Sequence, residues 1–356
     1  MEIRISKAGR LLKVRVTQRD VARLAGVSQA TVSLVLNGQA NAIDRIPIET
    51  RERVARVIRE TGYVADPIAR RLVQKRNQII GVFSYEPVFP SAQADFFLPF
   101  LLGIEQGAQQ FGYDVLLFTS AAKGGDERRI FSSNNRLRLA DGCIVLGREL
   151  DRAELAQLVS GDYHFVAIGR RDDAGGPVPY VGADYATATA ALVGQALKFG
   201  HRAFGYVGRK PGIEASSDRW RGFHEATRSG EKALVIDTAD PRPVNEALLD
   251  LRKAGVTAIF YEDLSDAVQG EEAAREMGLY LPGDLSIVAL GNPTGSIPTQ
   301  VNFTRFNIPR EEMGRLAVEM LAASLEGHLH ERQRLLPCEL VRGETLGFLT
   351  ETKRLL

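Results

Sequence analysis

Thr17, Ser28, Gln29, Ala30, Thr31, Ser33 and Asn37 lie in one short stretch whose side chains suit the surfaces of duplex DNA. A Gln amide pairs with adenine through two hydrogen bonds, and an Ala methyl packs on a thymine methyl. Small hydroxyl and amide groups donate to phosphate oxygens, which positions a protein without reading sequence. Arg45 and Arg51, further along, are candidates for the same phosphates. These groups need a scaffold, and the local signals supply one. Thr17 with Asp20 three residues on marks a helix start, Gly26 can take the positive φ that ends a helix, and Ser28 caps a second one. Val21, Leu24, Val32 and Val35 recur at helical spacing and are expected to form the core between the two helices. Gln29 and Ala30 then sit on the first turn of the second helix, facing away from that core. A third helix is expected over 48–61, closed by Gly62, with Val54, Val57 and Ile58 as its buried stripe. Two short helices around a Gly-centred turn make a helix-turn-helix, which places its second helix in the major groove.

The charge distribution agrees. Residues 1–76 hold 16 Lys/Arg against 7 Asp/Glu, whereas the remainder holds 29 against 37. A basic head on an acidic body points to a polyanion partner for the head alone. With 356 residues, more than one domain is expected. Cys143 and Cys338 lie too far apart in sequence for a metal or redox motif and read as buried, inert thiols. No apolar run reaches membrane-spanning length, and residues 1–13 lack the apolar core of a secretion signal, so a cytoplasmic, nucleoid-associated protein without membrane contact is expected.

From residue 78 onward, short apolar runs alternate with amphipathic stretches. Strands are expected at 79–84, 114–119, 142–147, 165–169, 204–208, 234–237, 258–262 and 286–290. Helices are expected at 100–111, 152–159, 186–199, 219–227, 244–253, 266–277 and 310–326. That alternation means parallel sheets covered by helices, with ligand sites at the carboxyl ends of strands. The dinucleotide, Walker, H-E-x-x-H and G-x-S-x-G motifs are missing from the sequence. His328 and His330 beside a glycine suit a solvated loop better than a metal site. No catalytic residue, metal or cofactor is assigned, and the body reads as a small-molecule binding module.

At this point the chain resembles a family. The matching residues are D-V-A-R-L-A-G-V-S (20–28), T-V-S (31–33), L-N (36–37), T-R-E-R-V (50–54), G-Y (62–63) and A-R-x-L (69–72). They are similar to the head of the lactose-repressor/galactose-repressor family of bacterial regulators. The resemblance implies an all-α helix-turn-helix head over 16–64 after a basic extension, 1–15, and a hinge helix or linker over 65–77. In the hinge, Ala69 and Leu72 would meet DNA, with Leu72 driven into the minor groove at the centre of a palindrome. Position 34 commonly holds Arg in that family; Leu34 here leaves base reading to Gln29, Ala30 and their neighbours. More weakly, the resemblance extends to an α/β effector domain over 78–350. It would consist of two Rossmann-like subdomains of the periplasmic-sugar-binding type, 78–178 with 305–330 and 179–304 with 331–350, closing on a ligand.

Within that frame, strand-end residues are nominated for the ligand. Phe96 and Phe97, just ahead of the first body helix, stand where relatives present aromatics, with core packing the other use for one of them. Arg219, in S-S-D-R-W-R-G-F, matches a recurrent effector-binding arginine whose fork suits hydroxyls or a carboxylate. Trp220 either stacks on a sugar face or is buried. Arg170, Glu262 and Asn292 occupy similar strand-end positions. The run L-G-N-P-T-G-S-I-P lacks the acidic residue that usually holds sugar hydroxyls at Gly291 and Asn292, which favours an anionic sugar or sugar acid. The segment after Gly347 carries no apolar heptads, so a homodimer is expected. The expected function is a ligand-controlled, sequence-specific regulator of transcription, most simply a repressor on a palindromic operator. The alternatives are a sugar- or nucleotide-processing enzyme with an attached head, and an architectural DNA binder with an inert pocket.

Overall fold

A computed structural model describes residues 4–5, 11–12, 16–37, 46–63, 76–86, 88–89, 94–119, 128–131, 136–208, 213–228, 232–237, 243–293 and 299–349. The chain divides into two compact units, Met1–Asn77 and Gln78–Leu356. Of the basic lead, two dipeptides pair as a minimal antiparallel ladder, β1 (Arg4–Ile5) against β2 (Leu11–Leu12).

Among the described residues three helices follow: α1 (Gln18–Ala25), α2 (Gln29–Asn37) and α3 (Ile48–Thr61). The Thr17 hydroxyl accepts from the Asp20 amide, and the Asp20 carboxylate accepts from the Thr17 amide, closing a full capping box. Gly26, at φ +65°, ends α1 and starts the turn, and the Ser28 hydroxyl accepts from the Thr31 amide at the head of α2. The core is Val21, Ala22, Ala25, Val32 and Val54, with Val35, Val57 and Ile58 partly buried around it. Leu24 corrects the expectation: it is 54% exposed. On a helix of 100° per residue, Val21, Ala25 and Ala22 define one stripe, and Leu24 falls to its flank. The third helix is tied back by Arg53, whose Nε donates to the Ala25 carbonyl at 2.8 Å.

The body contains two parallel sheets built alike. The first runs in spatial order β13 (Gln333–Leu336), β7 (Tyr180–Ala183), β6 (His164–Ile168), β5 (Gly142–Leu146), β3 (Ile79–Ser84) and β4 (Asp114–Phe118). The second runs β14 (Glu339–Val341), β12 (Thr304–Asn307), β11 (Ser286–Ala289), β10 (Ala258–Tyr261), β8 (Ala203–Gly208) and β9 (Lys232–Asp237), with only β14 antiparallel. β5 and β10 are buried along their whole length, as strands covered on both faces must be. In each sheet the chain order reverses beside the first strand, between β3 and β5 and between β8 and β10. Such a reversal opens a crevice at the carboxyl ends of the strands.

The helices that position the cleft are α4 (Ala94–Phe111), α6 (Tyr185–Lys198), α7 (Glu214–Ala226), α9 (Leu264–Glu276) and α10 (Arg310–Leu325); α5 (Arg152–Ser160) and α8 (Val244–Lys253) complete the layers. Helix α4 starts at Ala94, six residues before the expected start, and carries Pro99 internally. Phe96 and Phe97 are therefore helical residues and not part of a preceding loop. Likewise α7 begins at Glu214, which places Arg219 in mid-helix. Helices α4 and α10 pack with almost no side-chain spacer: a Cβ on Gly103 would fall on the Glu311 carbonyl, and one on Gly314 on the Phe100 carbonyl.

The expected subdomain bounds move. β7 pairs with β6, so the chain leaves the first sheet after Ala183 and not near 178. β12 pairs with β11, so Thr304–Asn307 belong to the second sheet and the return follows Asn307. β13 pairs with β7, so 333–336 belong to the first sheet. All three segments are short strands, two of them with charged or polar residues that hide strand character in the sequence. No helix among the described residues is long and apolar enough to cross a membrane.

Candidate functional site

In the head, the first turn of α2 carries the residues nominated for DNA. Gln29 and Ala30 are exposed while Val32, two residues on, is fully buried, so the face opposite the core is free. The Gln29 amide donates from Nε2 to the Gln18 Oε1 at 3.1 Å, which aims it by a neighbour on α1. Gln18 was not nominated from sequence, although its place at the start of α1 beside the second helix is a usable signal. The hydroxyls of Ser28 and Thr31 share a 2.9 Å hydrogen bond, and Thr17 is exposed. Ser33 is half-buried on α2. Arg51 spends its Nε on the Ile46 carbonyl at 2.8 Å, which fixes its stem and leaves the terminal nitrogens. Arg45, Ala69 and Leu72 lie outside the described residues, as does the side chain of Asn37.

In the body, the ends of both sheets face one cleft of about 1070 Å³, part of it open to solvent. Phe96, Phe97, Arg170, Arg219, Glu262 and Asn292 all line it. Phe97 is 3% exposed and works chiefly as core, while Phe96 presents a half-buried ring. Trp220 is absent from the lining and corrects the expectation. Its indole stacks on Phe223 and His224, with centroids 5.8 and 5.4 Å away. One helical step of 100° separates it from Arg219 and turns it to the packed side.

The cleft's arginines differ in what they hold. Arg219 is 8% exposed; its Nε donates to the Leu290 carbonyl at 2.9 Å and its Nη1 to the Ala215 carbonyl at 3.1 Å. Its guanidinium lies 3.9 Å from the Tyr185 ring centroid and 3.9 Å from the Glu262 carboxylate. Burial opposes its charge, but Tyr185 and Glu262 outweigh that and hold it above the ordinary arginine value. Glu262 in turn accepts from the Ser216 hydroxyl through a short hydrogen bond. Arg170 donates to Asp218 and to Asp172, each at 2.6 Å. Arg171 donates to Glu214 at 3.1 Å and to the Gly147 and Ile168 carbonyls, joining the ends of β5 and β6. Because Asp218 and Glu214 sit on α7, these pairs run from the first subdomain to the second. Asn292 accepts from the Ile308 amide at 3.0 Å, which braces the crossover after β12.

Several lining residues were missed from sequence, among them Arg148, Arg171, Tyr185, Ser216, Asp263 and Arg310. Arg148, Arg171 and Asp263 follow β5, β6 and β10 by two or three residues, so the strand-end rule already covered them. Tyr185 and Arg310 follow β7 and β12, strands not recognised as such. Among the described residues, no group of three His, Cys, Asp or Glu side chains is placed to hold a metal. Burial pushes the Cys143 thiol up to about 12, which makes it inert at neutral pH.

Asp266, in the first turn of α9, gives the body a pH signature. Burial first, then the neighbouring Asp263 and Glu262, push its carboxyl up to about 6. A raised carboxyl binds its proton more tightly folded than unfolded, so stability falls as pH rises from about 4 to about 6. We expect Asp266→Asn to remove that decline and to add about 1 kcal/mol at pH 7, a figure discounted for the group's partial exposure. Urea unfolding of variant and parent at pH 4.5, 5.5 and 7 checks this; parallel profiles would reject it.

The comparisons with known proteins agree with this geometry. Residues 17–66 match the model for bacterial regulatory proteins of the lacI family, and residues 193–346 match a periplasmic binding protein-like domain. The chain is 27% identical over 336 residues to the ribose operon repressor of Halalkalibacterium halodurans, covering 92% of this chain and 96% of that one. It is 28% identical over 349 residues to the HTH-type transcriptional repressor CytR of Escherichia coli K12, with the same coverage. Its fold matches a lac repressor dimer bound to operator and an anti-inducer, with TM-score 0.75, 22% identity and coverage of 94% and 99%. It also matches a CelR–cellobiose complex, with TM-score 0.60, 25% identity and coverage of 93% and 100%.

Proposed function

This chain belongs to the lacI family of bacterial regulatory proteins, a DNA-binding transcriptional regulator with an effector domain, and we propose that it is a homodimeric repressor controlled by a small carbohydrate. The reading is carried by one observation: the carboxyl ends of two like-built sheets converge on one cleft whose two walls belong to different subdomains. A ligand touching both walls changes how they close. Two heads on one operator require a two-fold axis, hence a palindrome. Exposed Leu98 and Leu102 on α4 and Val115 on the edge strand β4 offer an apolar face for the second copy. One relative is a ribose operon repressor and a CelR–cellobiose complex stands among the matched structures, which supports a sugar or sugar acid as effector. The protein is read as cytoplasmic and as a sensor, not a catalyst. Coupling between cleft and DNA is typically about 1–3 kcal/mol and is reciprocal.

The test is a thermal-shift screen of sugars, sugar acids, sugar phosphates and nucleobases, followed by operator titration with each hit. An effector at 100-fold its Kd adds about 2.7 kcal/mol of stability. A hit that shifts operator affinity supports the regulator; hits that leave DNA binding untouched would refute ligand control. On the DNA side, Gln29→Ala is expected to relax preference at one or two base positions per half-site, where a mismatch costs about 1–3 kcal/mol. Selection from a randomised operator pool at fixed salt reads this directly. A uniform loss over all sequences would make Gln29 a phosphate contact.

A further inference from the structure

Two arginines in the cleft stand apart from the rest. Arg170, Arg171 and Arg219 are committed to carboxylates and carbonyls of the protein itself. Arg148 and Arg310 are not: among the described residues, neither guanidinium makes an ion pair or a side-chain hydrogen bond. Both instead lie over the Phe96 ring, at 4.6 and 5.4 Å from its centroid. Arg310 is 4% exposed and lines the cleft from the first turn of α10. Burial pushes it below the ordinary arginine value, and the nearby positive charges of Arg219 and Arg148 add to that. A buried cation held only by an aromatic face is costly, and proteins keep such groups when something else supplies the counter-charge.

Resting on the cleft being the effector site, we propose that the effector is an anion and that its carboxylate or phosphate is seated between Arg148 and Arg310 against Phe96. The opposite wall has the other character. Ser216, Glu262 and Asp263 line it and offer oxygen atoms suited to hydroxyl groups. The ligand therefore carries an acidic group at one end and hydroxyls at the other, as a sugar acid or sugar phosphate does, and its orientation is set. A neutral sugar leaves the two cations, both packed on the Phe96 ring, uncompensated. An anion neutralises both at once, so closure is tied to the ligand's charge as well as its shape. The cations Arg148 and Arg310 lie on the wall of the first subdomain, while Glu262 and Asp263 follow β10 of the second. The ligand's two ends thus engage different subdomains.

The experiment is thermal unfolding of the full chain at matched ionic strength. The probes are sodium phosphate, gluconate, glucuronate and glucose 6-phosphate, compared with sodium chloride, glucose and glucitol. We expect anions to raise the midpoint by several degrees, and glucose and glucitol to leave it unchanged. Arg310→Gln and Arg148→Gln should each remove most of that rise. Ligand-free Arg310→Gln should melt no lower than the parent, because an unpartnered charge has been removed; a large drop would mean a structural role and overturn the assignment. If that variant does not fold, Arg310 is structural and its assignment falls, and half-exposed Arg148→Gln alone decides whether the anion effect arises in the cleft. Gluconate and glucuronate acting without the phosphates select a carboxylate, and the reverse selects a phosphate. An anion effect that survives both substitutions arises elsewhere, as at the basic head, and overturns the proposal, as does silence from every anion. Protection by glucose that is lost in Arg219→Ala would overturn the anionic assignment while leaving the effector cleft standing. Protection by any probe that persists in both Arg219→Ala and Arg310→Gln would overturn both.

Discussion

Gly103→Ala is expected to destabilise the body by about 3 kcal/mol, while the chemically identical Gly194→Ala stabilises it by up to about 1 kcal/mol. Both glycines lie inside helices, Gly103 in α4 and Gly194 in α6. Replacing a helical glycine with alanine removes unfolded-chain entropy, so each change starts with the same gain. Space decides the sign. Around Gly194 an added Cβ meets nothing within 4 Å. At Gly103 it lands on the Glu311 backbone carbonyl, which cannot rotate away as a side chain would. Helices α4 and α10 must therefore separate, and overpacking outweighs the propensity gain. The consequence reaches the site, because α4 carries Phe96 and α10 carries Arg310. Denaturant unfolding of both variants measures the first effect and ligand binding by Gly103→Ala the second. Equal signs for the two alanines would show that the helix contact is not the one described.

Arg219→Ala is the second large effect, with loss of the effector response and about 2–4 kcal/mol of stability. The guanidinium sits deep in the cleft, donates to the Leu290 and Ala215 carbonyls, and faces Glu262. Its removal leaves the Leu290 carbonyl short of a donor and a nearly buried carboxylate short of a countercharge. Such orphaned groups cost more than the pair gained when formed. Gly291 and Leu290, at the end of β11, lose their tether at the mouth of the second sheet. Operator affinity should stay near that of the parent, since the head folds on its own three-helix core. The check is operator titration with and without any compound that protects the parent thermally. A variant that still responds to that compound would remove Arg219 from the effector site.

The head was legible almost residue by residue. Its signals are local: a capping pair at Thr17 and Asp20, a glycine with positive φ at position 26, and a serine cap before α2. Each acts within four residues of itself, so no distant contact can change its meaning. Leu24 was misassigned because two stripes at helical spacing fit the apolar residues, and only the arrival of α3 selects between them. In the body, the strands with continuous apolar runs were found, whereas β7, β12, β13 and β14 were not. These short strands earn their place by pairing with a neighbour far along the chain, which local composition does not encode.

The same division holds for the cleft. Which residues stand at strand ends follows from the alternation of strands and helices, and that was enough to nominate Arg170, Arg219, Glu262 and Asn292. Whether a side chain at such a place serves the ligand or the protein depends on partners brought in by the fold. Arg170 and Arg171 are adjacent and alike in sequence, yet both are spent on α7 across the cleft. Trp220 beside Arg219 is turned away by one helical step. Arg148 and Arg310, separated by 162 positions in the numbering, meet over a single phenylalanine ring. Capping, turns and periodicity are short-range and survive in the linear chain; the pairing of charges is a matter of distance in space, and only the folded body brings those charges together.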